Sequence, residues 1–155
     1  MLGSDEASLD RFVLAQNDVW DQVMSEIVSG RKQTHWMWFV FPQLAALGQS
    51  EKSRFYGIRN RREAQDYLTD PILGARLRDA AETLLFSARG TAEEVLGDVD
   101  ALKLKSCATL FGVVSQDAMW SDILIRFFEG RADVLTLSHL QEEPGISRVE
   151  NVPET

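Results

Sequence analysis

Residues 36–41, Trp-Met-Trp-Phe-Val-Phe, form an unbroken apolar run with four aromatic rings and no charge. The rings follow neither a helical nor a strand period. Trp36 and Trp38 share one two-residue register, and Phe39 and Phe41 share the other. A segment that is apolar on every side has to be buried on every side, so other elements must pack around it. It is therefore expected to be the most buried run in the chain. Its ends are polar: Gly30-Arg31-Lys32-Gln33-Thr34-His35 leads in, and Pro42-Gln43 closes it. Polar groups fixed on a rigid aromatic wall suit a ligand site. The same run suits a plain core.

The flanking sequence is helical in pattern. Leu9, Phe12, Val13, Gln16, Trp20, Val23, Met24 and Ile27 recur at three- and four-residue spacing. They predict one amphipathic helix, with Asp10, Asp18, Asp21 and Glu26 on its outer face and Gly30 as its stop. Gln16 lies on the apolar stripe, where a buried amide needs partners. Beyond Pro42 a helical turn over 43–47 ends at Gly48, and Ser50 can cap a short helix over 51–57. Asn60 with Glu63 reads as a capping box for 61–68. Asp70-Pro71 reads as a cap followed by a first-turn proline, opening a helix that runs to about Ser87. Thr91 with Glu94 marks another capping box, for a helix stopped by Gly97. Asp98 or Asp100 caps the next helix, with Leu104, Cys107, Ala108, Phe111 and Val114 along one side. Asp117 caps 118–128, and 133–140 makes a last short helix.

No hairpin signal and no internal repeat is present. The expected fold is all-α: one compact domain over residues 8–140, an array of about seven to nine mostly short helices. Residues 1–7 read as a disordered leader and residues 141–155 as an acidic flexible tail.

Composition narrows the function classes. A chain of 155 residues, 45% hydrophobic and 26% charged, fits one ordinary globular domain. No apolar run approaches the ~18 residues of a membrane span, and the first residues lack a signal pattern. The single cysteine, Cys107, excludes an internal disulfide and the cysteine-rich zinc patterns. A cytoplasmic protein without a membrane partner is expected. His35 and His139 are the two histidines, too far apart to pair at helical spacing, and neither a glycine-rich phosphate loop nor a nucleophile elbow occurs. No metal and no cofactor is expected.

The net charge of −8 argues against general nucleic-acid binding, which needs a basic footprint. Yet residues 29–62 hold seven cations against the single acid Glu51, a window of +6. Two readings stand: solvated helix faces, or a local anion site in an acidic protein. The second assigns roles. Arg31 and Lys32 would meet a phosphate, Trp36 or Trp38 would stack on a base, and Gln43 would read an amide or ribose edge. Lys103 would be a second cation from across the cleft, and His35, able to exchange a proton near neutral pH, is the candidate catalytic group. The ligand would be a phosphate-bearing small molecule. The alternative is a non-catalytic protein–protein interaction module, with the same aromatics on a flat exposed patch.

The motif Gly30-Arg31-Lys32-x-x-His35-Trp36-Met37-Trp38-Phe39-x-Phe41-Pro42-Gln43 resembles one in a bacterial family known as domain of unknown function 1810, sometimes labelled calpastatin-like. So do Leu47-Gly48-x-Ser50, Phe55-Tyr56-x-Ile58, Glu63-Ala64-x-x-Tyr67-Leu68, Pro71-x-Leu73-Gly74-x-Arg76-Leu77 and Asp100-x-Leu102-Lys103-Leu104-x-Ser106. The resemblance covers about residues 8–140 and implies an all-α fold without an established activity. A weaker likeness, resting on Asp100, Lys103 and Phe111, is to the NADAR superfamily, which acts on ADP-ribose derivatives and N-glycosidic bonds. It implies a nucleotide-derived ligand, bound or hydrolysed.

Overall fold

The computed structural model describes residues 8–143. In order, the helices are α1 (Asp10–Asn17), α2 (Trp20–Ser29), α3 (Met37–Val40), α4 (Glu51–Phe55), α5 (Arg61–Thr69), α6 (Leu73–Ser87), α7 (Ala92–Leu96), α8 (Asp98–Val114), α9 (Ala118–Phe128) and α10 (Val134–Gln141). A 3-10 turn, Ala45–Leu47, lies between α3 and α4. The fold is all-α. Among the described residues no strand forms, and one isolated parallel bridge joins Leu44 to Ile58. The leader at 1–7 and the tail from 144 onward lie outside the described residues.

The ten α-helices among the described residues exceed the expected count for two reasons. The single helix expected over residues 8–29 breaks at Asp18 and Val19, and Met37–Val40 adds a turn of its own. Asn17 and Asp18 favour local side-chain bonding over helix continuation, which makes this the weak point of the pattern. The break lets α1 pack against α3 while α2 turns to pack against α6.

The centre of the fold is α8. It packs against α5, α7, α9 and α10, and all six residues from Ser106 to Phe111 are buried. The one-sided stripe expected for this helix is therefore a helix buried all round over this stretch, and this run, not 36–41, is the more deeply enclosed. Within 36–41 the chain makes a helical turn that directs Trp36, Met37, Val40 and Phe41 inward. Trp38 and Phe39 are left half-buried at its side. Cys107 is fully buried, and burial pushes its thiol well above the ordinary range, so it packs as a small apolar residue.

Local signals set most helix ends. Gly30 ends α2 in the left-handed conformation at φ 81°. Asp70 Oδ1 accepts the amides of Ile72 and Leu73 at 2.9 and 3.0 Å, and Thr91 and Glu94 form a reciprocal box. Asp117 and Asp133 accept amides at the starts of α9 and α10. Two expectations need correction. Asn60 accepts the Glu63 amide, but the Glu63 carboxylate takes the amide of Arg59 rather than that of Asn60. Neither Asp98 nor Asp100 caps α8, which starts directly after Gly97 with no side-chain cap, and Asp100 turns to two lysines instead.

Buried polar groups tie distant segments together. Gln16 donates to the Phe39 carbonyl at 2.6 Å and the Tyr67 hydroxyl at 3.2 Å, and accepts from Arg76 at 3.2 Å. The amide thus finds all its partners inside the fold. Arg11, also buried, donates to the carbonyls of Ser8, Phe55 and Gly57 and to both oxygens of Glu63. That ion pair, at 3.0 Å, pins α1 to α5, and the bonds to Phe55 and Gly57 tie it to the α4–α5 connection. Gly57 in this connection lies so close to Ala45 that a Cβ would collide with its backbone.

Removing one partner of a buried ion pair leaves the other charge uncompensated. Arg11→Met is expected to cost about 3–5 kcal/mol, read as a lower urea midpoint at unchanged slope. Asp70→Ala, which removes a cap but no buried charge, is expected to cost about 0.5–2 kcal/mol in the same assay.

Candidate functional site

The loop that enters the aromatic segment is organised by Glu26, a carboxylate only 4% exposed near the end of α2. Five donors converge on it. The amides of Gln33 and Thr34 reach Oε1 at 2.8 and 3.0 Å, and the Trp36 indole reaches the same oxygen at 2.8 Å. The Thr34 hydroxyl and the Gln22 amide reach Oε2, each at 2.7 Å. Burial opposes ionisation, but the donors from Gln22, Gln33 and Thr34 outweigh it and hold the carboxyl down at about 2. Sequence reasoning had set Glu26 on the outer face. Its three-residue spacing from Val23 was the available sign that it faces inward.

With the loop fixed, Lys32 is laid against the indole of Trp36, its ammonium 5.2 Å from the ring centre. The Lys32 amide donates to the Val95 carbonyl at 2.7 Å, and its ammonium meets Asp100 at 2.8 Å. Asp100 also accepts from Lys103 one turn along α8, at 3.3 Å. The Lys103 ammonium in turn lies 4.7 Å from the Trp38 ring centre, and Lys52 on α4 lies 5.1 Å from the same ring. A chain of contacts thus runs from Glu26 through Trp36, Lys32, Asp100 and Lys103 to Trp38.

Trp38 opens onto a cleft of about 760 Å³, within the usual range for small-molecule sites. One wall is the segment from Trp38 and Gln43 through Gly48 to Ser53, and the other comes from α8 and α10. Lys103, Ser106, Asp133 and His139 supply its polar groups on that second wall, and Val99, Leu102 and Leu135 its apolar face. The side chain of Gln43 makes no hydrogen bond among the described residues. Asp133 uses Oδ2 to hold the amide and hydroxyl of Thr136.

The residues proposed from sequence therefore separate into two groups. Trp38, Gln43 and Lys103 line the cleft together. Arg31 and His35 are exposed and do not line it, and Trp36 is core with its indole N–H engaged by Glu26. Lys32 stands behind the cleft, its charge paired with Asp100. In place of the expected convergence of Arg31, Lys32 and His35, the cleft lining brings together Trp38 and Lys103, with Lys52 beside the Trp38 ring outside that lining. His139 belongs to the cleft although no local motif marks it. Its proximity is produced by α10 packing beside α8 and the 3-10 turn.

Among the described residues no group of three or more His, Cys, Asp and Glu side chains is placed to hold a metal ion. No described helix is long and apolar enough to cross a membrane.

The family model for a protein of unknown function, DUF1810, matches residues 6–140. The chain belongs to this family. The crystal structure of the conserved hypothetical protein Rv1873 from Mycobacterium tuberculosis is similar, with 39% sequence identity and a TM-score of 0.85. That similarity covers 87% of this chain and 97% of the other, so the DUF1810 fold described here is shared almost end to end. The search of curated proteins found no match. Neither the family match nor the solved structure carries the likeness to the NADAR superfamily.

A depressed carboxyl stabilises the fold above its unfolded value, and the gain is lost as pH falls through its folded value. Glu26 drops from an ordinary 4.5 to about 2, so its contribution is full above about pH 4.5 and lost towards pH 2. The shift corresponds to about 3 kcal/mol. Denaturant midpoints measured from pH 6 to pH 2 should fall steeply in the wild type. Glu26→Gln should start lower and fall less; an equally steep decline would remove Glu26 as the cause.

Proposed function

We propose that this protein binds a small, phosphate-bearing, nucleotide-derived molecule in the cleft beside Trp38. The observation that carries the reading is the Lys103 ammonium, in the lining of the cleft and 4.7 Å from the Trp38 ring centre, with the Lys52 ammonium 5.1 Å from the same ring just outside that lining. Ammoniums offer charge-assisted hydrogen bonds to an anion. The apolar face of Val99, Leu102 and Leu135 can take the flat side of a base or sugar, and Gln43 can read a polar edge with both its donor and its acceptor. Hydrolysis of an ADP-ribose-like ligand is the enzymatic form of this reading, with His139 and Asp133, rather than His35, as the proton-handling groups next to the ligand.

One observation favours the interaction module as the second reading. Val99, Leu102 and Leu135 are each more than 60% exposed, an apolar wall that a partner's side chain could cover.

A thermal-shift panel of nucleoside phosphates, ADP-ribose and their unphosphorylated counterparts tests the first reading. A ligand at 100 times its dissociation constant should stabilise the fold by about 2.7 kcal/mol. Lys103→Met should weaken that ligand by about 10- to 100-fold, the loss of one charge-assisted contact, while the unliganded protein stays folded. Arg31→Ala, outside the cleft, should bind as the wild type does. Stabilisation that survives Lys103→Met but vanishes with Arg31→Ala would move the site away from the cleft.

A further inference from the structure

Charge at the two ends of the cleft is unequal. Around the Trp38 end stand three ammoniums: Lys103 in the cleft lining, Lys52 beside the Trp38 ring just outside that lining, and Lys32 behind it. One carboxylate, Asp100, contacts Lys32 and Lys103. Asp100 bridges Lys32 and Lys103, so those three groups carry a net single positive charge. Lys52 forms no ion pair among the described residues and brings the total to +2. Glu51, its neighbour in sequence, is exposed and likewise forms no ion pair among the described residues. Across the cleft the α10 wall carries the carboxylate of Asp133 and the imidazole of His139.

This arrangement is selective in two ways. Like charges repel, so Asp133 turns an anion towards Trp38 and leaves its own side to hydroxyl or amine donors. The sharing of Asp100 limits the positive charge, so the end is matched to a compact dianion rather than to a long polyanion. Lys32 is held away from the ligand, side chain 8% exposed against Asp100, and its role is to orient that carboxylate. Lys103 is 17% exposed with its ammonium 4.7 Å from the Trp38 ring centre, and Lys52 on α4 is exposed, 5.1 Å from the same ring centre.

We propose that the Trp38 end of the cleft seats the dianionic phosphate of a small phosphomonoester between Lys103 and Lys52, with the hydroxyl-bearing body of the ligand towards Asp133. The proposal rests on the reading of the cleft as a small-molecule site and narrows it. A terminal phosphate carries close to two charges at neutral pH because its second proton leaves near pH 6. A phosphodiester or an internal pyrophosphate carries one charge per phosphorus and fits the pair of lysines less well.

Titration calorimetry at pH 7.5 on the full chain tests this, with adenosine 5′-monophosphate, its 3′,5′-cyclic diester, ADP-ribose, adenosine and inorganic phosphate as probes. The monoester is expected to bind at least about tenfold more tightly than every other probe. Lys52→Met and Lys103→Met should each cost about tenfold for the monoester and little for adenosine. Lys52 is exposed, so its replacement is expected to leave folding intact, and circular dichroism is to check that for both variants. Equal binding of the diester or of ADP-ribose, or an unaffected Lys52→Met, overturns the monoester seat while the cleft remains a ligand site. Inorganic phosphate binding as tightly as the monoester also overturns it. If none of the probes binds, the small-molecule reading of the cleft falls, and this proposal with it.

Discussion

One buried carboxylate fixes the loop that leads into the aromatic segment. Glu26 gathers two backbone amides, a hydroxyl, a side-chain amide and an indole N–H, so the loop from Gly30 to Trp36 has little freedom left. An ionised group in such a place is stable because each oxygen has several donors, which replaces the hydration it has lost. Everything downstream inherits its position from this point. Trp36 is anchored, Lys32 lies on its face, and Asp100 and Lys103 follow on α8.

The rest of the fold serves as a frame around α8. Short helices contribute little stability alone, because nucleating each turn is costly and few bonds repay it. Here they are held by packing on a helix that is buried all round for six residues and by long-range polar ties. The Arg11–Glu63 pair and the Gln16 amide join α1 to segments more than forty residues distant, apart from the closer contact to Phe39. These ties fasten the α3–α5 region, whose outer surface is one wall of the cleft. A site on loops and short helices becomes rigid when its supporting groups are locked in this way.

Membership of the DUF1810 family and a solved relative of the same shape describe the architecture, and neither names a ligand. The physical content of the cleft is then the guide to function. It pairs a cationic, aromatic end with a carboxylate and an imidazole at the other, joined by an apolar wall. That asymmetry is the ground on which a small anionic ligand is proposed.

The sequence alone determined the helical class and most helix ends. These are local properties: hydrophobic spacing, capping side chains and glycine stops act over four residues or fewer. Asp70, Thr91 and Asp117 therefore cap as their spacing implies. Trp38, Gln43 and Lys103, named together in the sequence by their residue types, share one cleft. What tertiary structure decided was which neighbours in sequence share a surface. Arg31 and Lys32 are adjacent, yet one is exposed and the other is buried against an acid 68 positions away. His139, not His35, lines the cleft for the same reason, because α10 returns beside α8 while residue 35 is exposed away from the lining. Spacing along a chain carries no record of such long-range approach. Only the packing of α3, α4, α8 and α10 around one cavity could select them.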